Sequence, residues 1–230
     1  MTCLFALRQT LRYFVLMTTR DYTAFDRLLM QFDAGLRTVF GRPPVTERSN
    51  PAETIPEAGL SAAERDLAGR LMRINHAGEV SAQGLYQGQA LTARLPDVRD
   101  KMERAALEEN DHLAWCEQRV KELGTHTTYL GPFWYLGSMA IGAAAGLAGD
   151  KWSLGFVAET EQQVVRHLDA HLERVSSADQ KTRAILAQMK EDEDHHATVA
   201  LRAGGAPLPG PVRALMRLTS KVMTRTAYFV

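Results

Sequence analysis

Cysteine is scarce in this chain of 230 residues: only Cys3 and Cys116 occur. Two isolated cysteines make no CxxC pair and no disulfide framework. A reducing cytoplasm is the default setting. An excess of one charge is also missing. Lys plus Arg number 27 and Asp plus Glu number 27, so the formal net charge is zero. A general nucleic-acid binder would be basic, so no nucleic acid is expected as a partner. There is no Gly-rich phosphate loop and no serine nucleophile elbow. The opening stretch MTCLFALRQTLRYFVLMTTR is apolar, but Arg8 and Arg12 interrupt it and no small-x-small cleavage site follows. It does not read as a signal peptide. It reads either as an amphipathic start or as residues ahead of a start at Met17.

Runs rich in Ala, Leu, Glu, Arg and Gln dominate, and β signals are nearly absent, so the chain is expected to be all-α. Residues 41–59 hold four of the nine prolines. They read as a linker that sets an N-terminal arm (1–59) with one short amphipathic helix apart from a helical domain (60–230). Ser61 followed by Glu64 is a capping box that starts a helix ending before Pro96. A second helix runs from about Asp97 to Leu123 and stops at Gly124. Residues 132–149 carry no charge, and a stretch of that length is marginal for a membrane span. They read as a helix that is buried or dips into a membrane surface. Two more helices follow, over about Ser153–Val175 and Asp179–Ala203, with SSAD as the turn between them. The end of the chain is a basic amphipathic helix. Arg213, Arg217, Lys221 and Arg225 recur every four residues, with Leu215, Leu218 and Val222 on another side, which suits a membrane interface.

Two Glu-x-x-His pairs stand out, Glu109 with His112 and Glu193 with His196. In a helix, residues three apart share a face, so each pair can grip one side of a metal. Both pairs sit on apolar seams. One seam is Met102, Ala105, Glu109, His112 and Cys116; the other is Leu186, Met189, Glu193, His196 and Ala200. An ionised Glu on such a seam is costly unless it is paired or metal-bound. The competing registers, with Glu108 and Asp111 on one helix and Asp192 and His195 on the other, read as solvated. Bundle-type two-metal sites add a lone Glu from each of two further helices. Glu79 and Glu109 are 30 residues apart and centre next to Pro96; Glu161 and Glu193 are 32 apart and centre in the SSAD turn. Each hairpin therefore brings its two glutamates level. Glu161 shares a face with Val157, Val164 and Leu168, whereas Glu159 is expected to be exposed. Oxygen ligands with imidazole suit two iron ions and O2 chemistry, with manganese as the alternative. Cys116 is expected in the core. Tyr86 is expected either in the core or lining the site. His76, His167 and His171 are expected on the surface or outside the ligand set.

The stretches RINHAGEVSAQGLYQGQ (73–89), EENDH (108–112), VAETEQQVVRHLDAHL (157–172) and EDEDHH (191–196) resemble the demethoxyubiquinone hydroxylase family over about residues 60–225. That resemblance implies a ferritin-like four-helix bundle with extra N- and C-terminal helices and a di-iron centre. It implies O2 as co-substrate, an external reductant and a polyprenyl quinol as substrate. It further implies a peripheral place on the cytoplasmic face of the inner membrane, beside other ubiquinone-biosynthesis proteins. The family's six ligands fall on Glu79, Glu109, His112, Glu161, Glu193 and His196. A histidine tied to electron or proton delivery falls on His167, which Leu168 follows here where animal members carry a tyrosine. A quinol oxidase, a ferritin-like iron-binding protein and a metal-free scaffold remain the alternatives.

Overall fold

A computed structural model of the chain describes residues 23–41, 44–46 and 48–230. The alternative starts at Met1 and Met17 lie outside these residues. The described residues form seven helices and no strand, so the all-α expectation holds. They are α1 (Ala24–Phe40), α2 (Ala62–Thr92), α3 (Pro96–Glu122), α4 (Gly131–Leu147), α5 (Asp150–Arg174), α6 (Gln180–Arg202) and α7 (Gly210–Ala227). Contacts divide the described residues into two units, one up to residue 34 and one from residue 35 onward. In the first, Thr23 opens α1 by accepting from the Asp26 backbone N–H at 3.1 Å, while the Asp26 carboxylate accepts from Thr23 N at 2.9 Å.

The helix ends in the second unit follow the sequence signals. The Ser61–Glu64 capping box is present at the start of α2. Pro96 occupies the first turn of α3, where its missing N–H costs nothing. Gly124 takes φ +75° just past the end of α3, a left-handed turn that a Cβ would strain. Asp179 caps α6, accepting from Thr182 N at 3.0 Å. Short turns make α2–α3 and α5–α6 two helical hairpins, and α4 is the crossover between them.

The crossover lies directly on α2, and glycine permits it. A Cβ at Gly88 would sit 2.1 Å from the Met139 carbonyl oxygen, and one at Gly142 would sit 2.1 Å from that of Leu85. Backbone thus meets backbone along this contact. The uncharged segment spends its small residues on this contact and turns Phe133, Leu136 and Leu147 outward.

Along the four bundle helices lie two larger apolar clusters, and a smaller third one (Val80, Leu113 and Tyr135) joins α2, α3 and α4. Of the larger two, one contains Leu71, Met72, Cys116, Leu168, Leu186 and Met189; the other contains Tyr86, Leu154, Val157 and Ala200. On every helix the predicted ligands fall between a residue of one cluster and a residue of the other. The core is thus interrupted by one polar layer.

The described linker residues have no regular helix or strand but lie against the bundle. Arg119 of α3 is fully buried, pairs with Glu57 at 2.6 Å and Asp179 at 2.8 Å, and donates to the Thr182 hydroxyl at 2.9 Å. It ties the linker to the α3 and α6 ends. Replacing Gly88 with Ala is expected to lower the unfolding free energy by about 1–3 kcal/mol through overpacking, read from denaturant midpoints; an unchanged midpoint would show that α4 does not rest on α2 at this point.

Candidate metal centre

All six predicted ligands are buried, none more than 8% exposed. Ligand-capable atoms of Glu79, Glu109, His112 and Glu193 lie within 4.8 Å of one another. His112 Nδ1 is 3.0 Å from Glu109 Oε2, 3.3 Å from Glu193 Oε1 and 3.9 Å from Glu79 Oε2. His196 Nδ1 is 3.1 Å from Glu109 Oε1 and 3.3 Å from Glu193 Oε2. Glu109 and Glu193 therefore each turn one oxygen to each imidazole. Glu109 and Glu193 thus stand between the two rings, where they could contribute to holding metal on either side, with Glu79 beside His112. Glu161 stands outside the group of four; it accepts from the Tyr86 hydroxyl and interacts with Glu193. Tyr86 has no exposure, so it belongs to the core and touches the site as well.

Two further carboxylates hold the imidazoles from behind. His112 Nε2 donates to Asp192 Oδ2 at 2.8 Å, and His196 Nε2 donates to Glu108 Oε2 at 2.9 Å. The outward reading of Asp192 and Glu108 is therefore corrected. A residue one step from a ligand is rotated about 100° around its own helix, but here that direction faces the neighbouring helix rather than water. The arrangement is reciprocal: the acid before each ligand Glu grips the histidine of the other helix. The signal was present as an acid preceding both Glu-x-x-His pairs, in EENDH and DEDHH. Asp111 is also buried, accepting from Thr46 N at 2.7 Å. Glu159, expected to be exposed, is only 9% so and accepts from Gln163 Nε2 at 2.8 Å. His195 is exposed, as its register required, and Cys116 is in the core.

A cavity of about 290 Å³ reaches Glu79, Glu161 and Glu193. Its walls are mostly apolar, with Leu85 from α2, Trp134 and Ile141 from α4, Phe156 and Val164 from α5, and Leu215 and Met223 from α7. His167 also lines it. Its ring lies against that of His171, with centroids 3.9 Å apart and the planes tilted by 58°. His171 is buried rather than at the surface. Burial lowers His167 to about 4 and His171 to about 2, so both are neutral at pH 7. Burial likewise lowers His76 to about 4.

The donor set fits a pair of metal ions. Four buried carboxylates face two imidazoles, and among the described residues no Lys or Arg pairs with any of the six. Burial, then the charges on Glu109 and Glu193, push Glu79 well above the usual carboxylate range. Burial and the same two neighbours raise Glu161. Burial disfavours ionised Glu109, yet His112 and His196 outweigh it and hold that carboxyl low. Burial also opposes protonation of the histidines, but the facing carboxylates win, raising His112 strongly and His196 to about 12.

The metal-free fold therefore binds protons that the unfolded chain releases. Glu79, Glu161, His112 and His196 all have raised folded values, so their contribution is present at low pH and is lost as pH rises above the ordinary values of about 4.3 for Glu and 6.5 for His. Glu109 acts oppositely, but its contribution is lost only below the ordinary Glu range. Metal entry must displace these protons. Loading the metal-free protein at pH 7 is expected to release protons, visible with a pH indicator in weak buffer, and affinity should rise with pH. Metal uptake without proton release would contradict this electrostatic picture. Glu79→Gln should raise the metal-free thermal midpoint at pH 8 while weakening metal binding.

Comparison with known proteins bears on what such a centre is for. Residues 66–227 match the family described as Ubiquinone biosynthesis protein COQ7. A "3-demethoxyubiquinol 3-hydroxylase" of Nitrosococcus oceani is 64% identical over 214 residues, covering 93% of this chain and 100% of the relative. Proteins of the same name from Acinetobacter baumannii and Pseudomonas fluorescens are 53% and 56% identical over 211 residues, covering 92% of this chain and 100% and 98% of the relatives. With the family matched across most of its length and relatives this similar, the chain belongs to the ubiquinone biosynthesis protein COQ7 family.

Proposed function

We propose that this protein is a 3-demethoxyubiquinol 3-hydroxylase, a di-iron monooxygenase that adds one oxygen atom of O2 to the ring of a polyprenyl quinol. The observation that carries the reading is a buried carboxylate–imidazole cluster that borders an apolar cavity, in a chain whose relatives bear that name. In the balanced reaction a ring C–H becomes C–OH and the second oxygen atom leaves as water. Two electrons from an external reductant and two protons complete it. Two iron ions, when bound, supply the redox and dioxygen chemistry.

The chain's own residues do the rest. Glu79, Glu109, His112, Glu161, Glu193 and His196 are the proposed ligands, and their negative charge of four matches two divalent ions. Asp192 and Glu108 hold each imidazole with Nε2–H outward and Nδ1 free for metal. The apolar walls of the cavity take the isoprenoid and keep water from the ring. His167, on the cavity wall, is the residue proposed for electron or proton delivery; burial makes it a weak base, so it would meet a quinol hydroxyl as a neutral hydrogen-bond partner. Residues 60–230 are the proposed catalytic domain, and the described residues from 44 to 59 that precede it are pinned to its α3.

No helix among the described residues is long and apolar enough to cross a membrane. The proposed location is peripheral, on the cytoplasmic face of the inner membrane, alongside other proteins of the pathway. Two helices that wall the cavity support it. α4 exposes Phe133, Leu136 and Leu147, and α7 exposes Leu215, Leu218 and Val222 next to its four basic residues. An apolar face fringed with Lys and Arg suits the boundary of an anionic bilayer.

Supplied with a demethoxyubiquinol, a reductant and ¹⁸O2, the iron-loaded protein should place label in the quinone ring. Quinol oxidation that leaves the ring unlabelled would make it an oxidase instead. Glu161→Ala and Glu193→Ala should each lose bound iron and lower hydroxylation by about 100-fold or more, the upper end of what outer partners of a metal site cost. Full activity in either variant would overturn the six-ligand assignment.

A further inference from the structure

The two imidazoles are held by similar relays that end differently. His196 leads to Glu108, whose other oxygen accepts from Arg104 at 2.9 Å, an exposed residue one turn earlier on the same helix. His112 leads to Asp192, and Asp192 leads to Arg48, which lies outside the bundle in the Pro-rich stretch. The same Asp192 Oδ2 that accepts from His112 accepts from the Arg48 guanidinium, while Oδ1 accepts from Gln188 Nε2 at 3.1 Å. Arg48 also lies over the Trp115 ring, 5.1 Å from its centroid, and that ring is 5.4 Å from His112. It therefore reaches one imidazole by two routes.

The stretch that carries Arg48 is pinned to α3 on both sides of it. Asn110 Nδ2 donates to the Pro44 carbonyl at 2.8 Å, and the Thr46 backbone N–H and hydroxyl both donate to Asp111. Asn50 Nδ2 donates to Gln118 Oε1 at 3.1 Å. These contacts set the guanidinium where it meets Asp192.

We propose that Arg48 is a positioning residue of the metal centre, acting through Asp192 to fix and tune the His112 imidazole. This rests on the reading of the six buried groups as a two-metal site. A carboxylate that accepts from the far nitrogen of a metal-bound imidazole sets the ring's orientation and raises its basicity. A guanidinium on the same oxygen limits how far that carboxylate can turn and draws away part of its charge. The Glu79–His112 half of the centre is thus governed from the linker. The His196 half is governed from its own bundle helix by a solvent-screened pair.

The test uses the full-length metal-free protein titrated with Co(II), followed by its visible absorption and by competition with a chelator. Wild type should bind two equivalents. Arg48→Ala should weaken one of the two by about tenfold, the low end for outer partners of a metal site, and should change the visible spectrum. Arg48→Lys should recover part of both. Thr46→Val loosens the same stretch without touching Asp192 and should leave both as in wild type. If Arg48→Ala does not fold, Arg48→Gln against Arg48→Lys replaces it. Wild-type affinity and spectrum in the Ala or Gln variant would overturn the proposal, as would the same loss in Thr46→Val, which would make docking of the stretch the cause. Failure of wild type to bind Co(II) would remove the metal-centre reading and this proposal with it.

Discussion

Four carboxylates share one buried layer of this bundle with two imidazoles, which are their only near counter-charges among the described residues, and the architecture on either side is shaped by that cost. Each buried ion carries an effective penalty of several kcal/mol in a protein interior, even after relaxation. Without metal, the layer is held by protons on Glu79, Glu161 and both histidines and by the oxygens that Glu109 and Glu193 extend to both rings. The apolar clusters on either side hold the charged layer in place and keep water from relieving it. Such a layer is a poor way to stabilise a bundle, which is why its presence speaks for metal and for chemistry.

The crossover helix completes the setting. Because Gly88 and Gly142 let α4 lie against the α2 backbone, one helix both joins the two hairpins and walls the cavity. α7 contributes another wall. Of the apolar residues that these two helices turn outward, Leu215 also lines the cavity, so the exposed face of α7 adjoins its wall. Function here depends on the small side chains of the crossover as much as on the acids.

Much of this could be read from the chain. Helix starts and stops carry local chemistry, so Ser61, Pro96 and Gly124 mark their ends faithfully. The six buried acids and histidines were legible because a charged residue on an apolar seam contradicts its surroundings, and because hairpin midpoints fix which residues are level. The outer groups were not legible by the same logic. Asp192 and Glu108 sit on polar registers, and a register gives a direction around one helix without saying what stands there. The same limit applies to Asp111, which looked solvated until the linker was seen to cover it. Tyr86 could be put on the Glu79 face, but its bond to Glu161 depends on how α2 and α5 approach.

The reciprocal bonds from Asp192 to His112 and from Glu108 to His196 also act as a gauge of length. Each runs between α3 and α6, in opposite senses. A slide of one helix past the other by a single residue, about 1.5 Å, would stretch both bonds at once, and a slip of a full turn would break both. Apolar side chains alone tolerate such slippage, since one Leu can take another's place. The polar layer does not, so it sets the vertical alignment of the two hairpins to within a fraction of a turn. The chain therefore carries its own calibration mark, written in the buried polar layer and the two acids behind it.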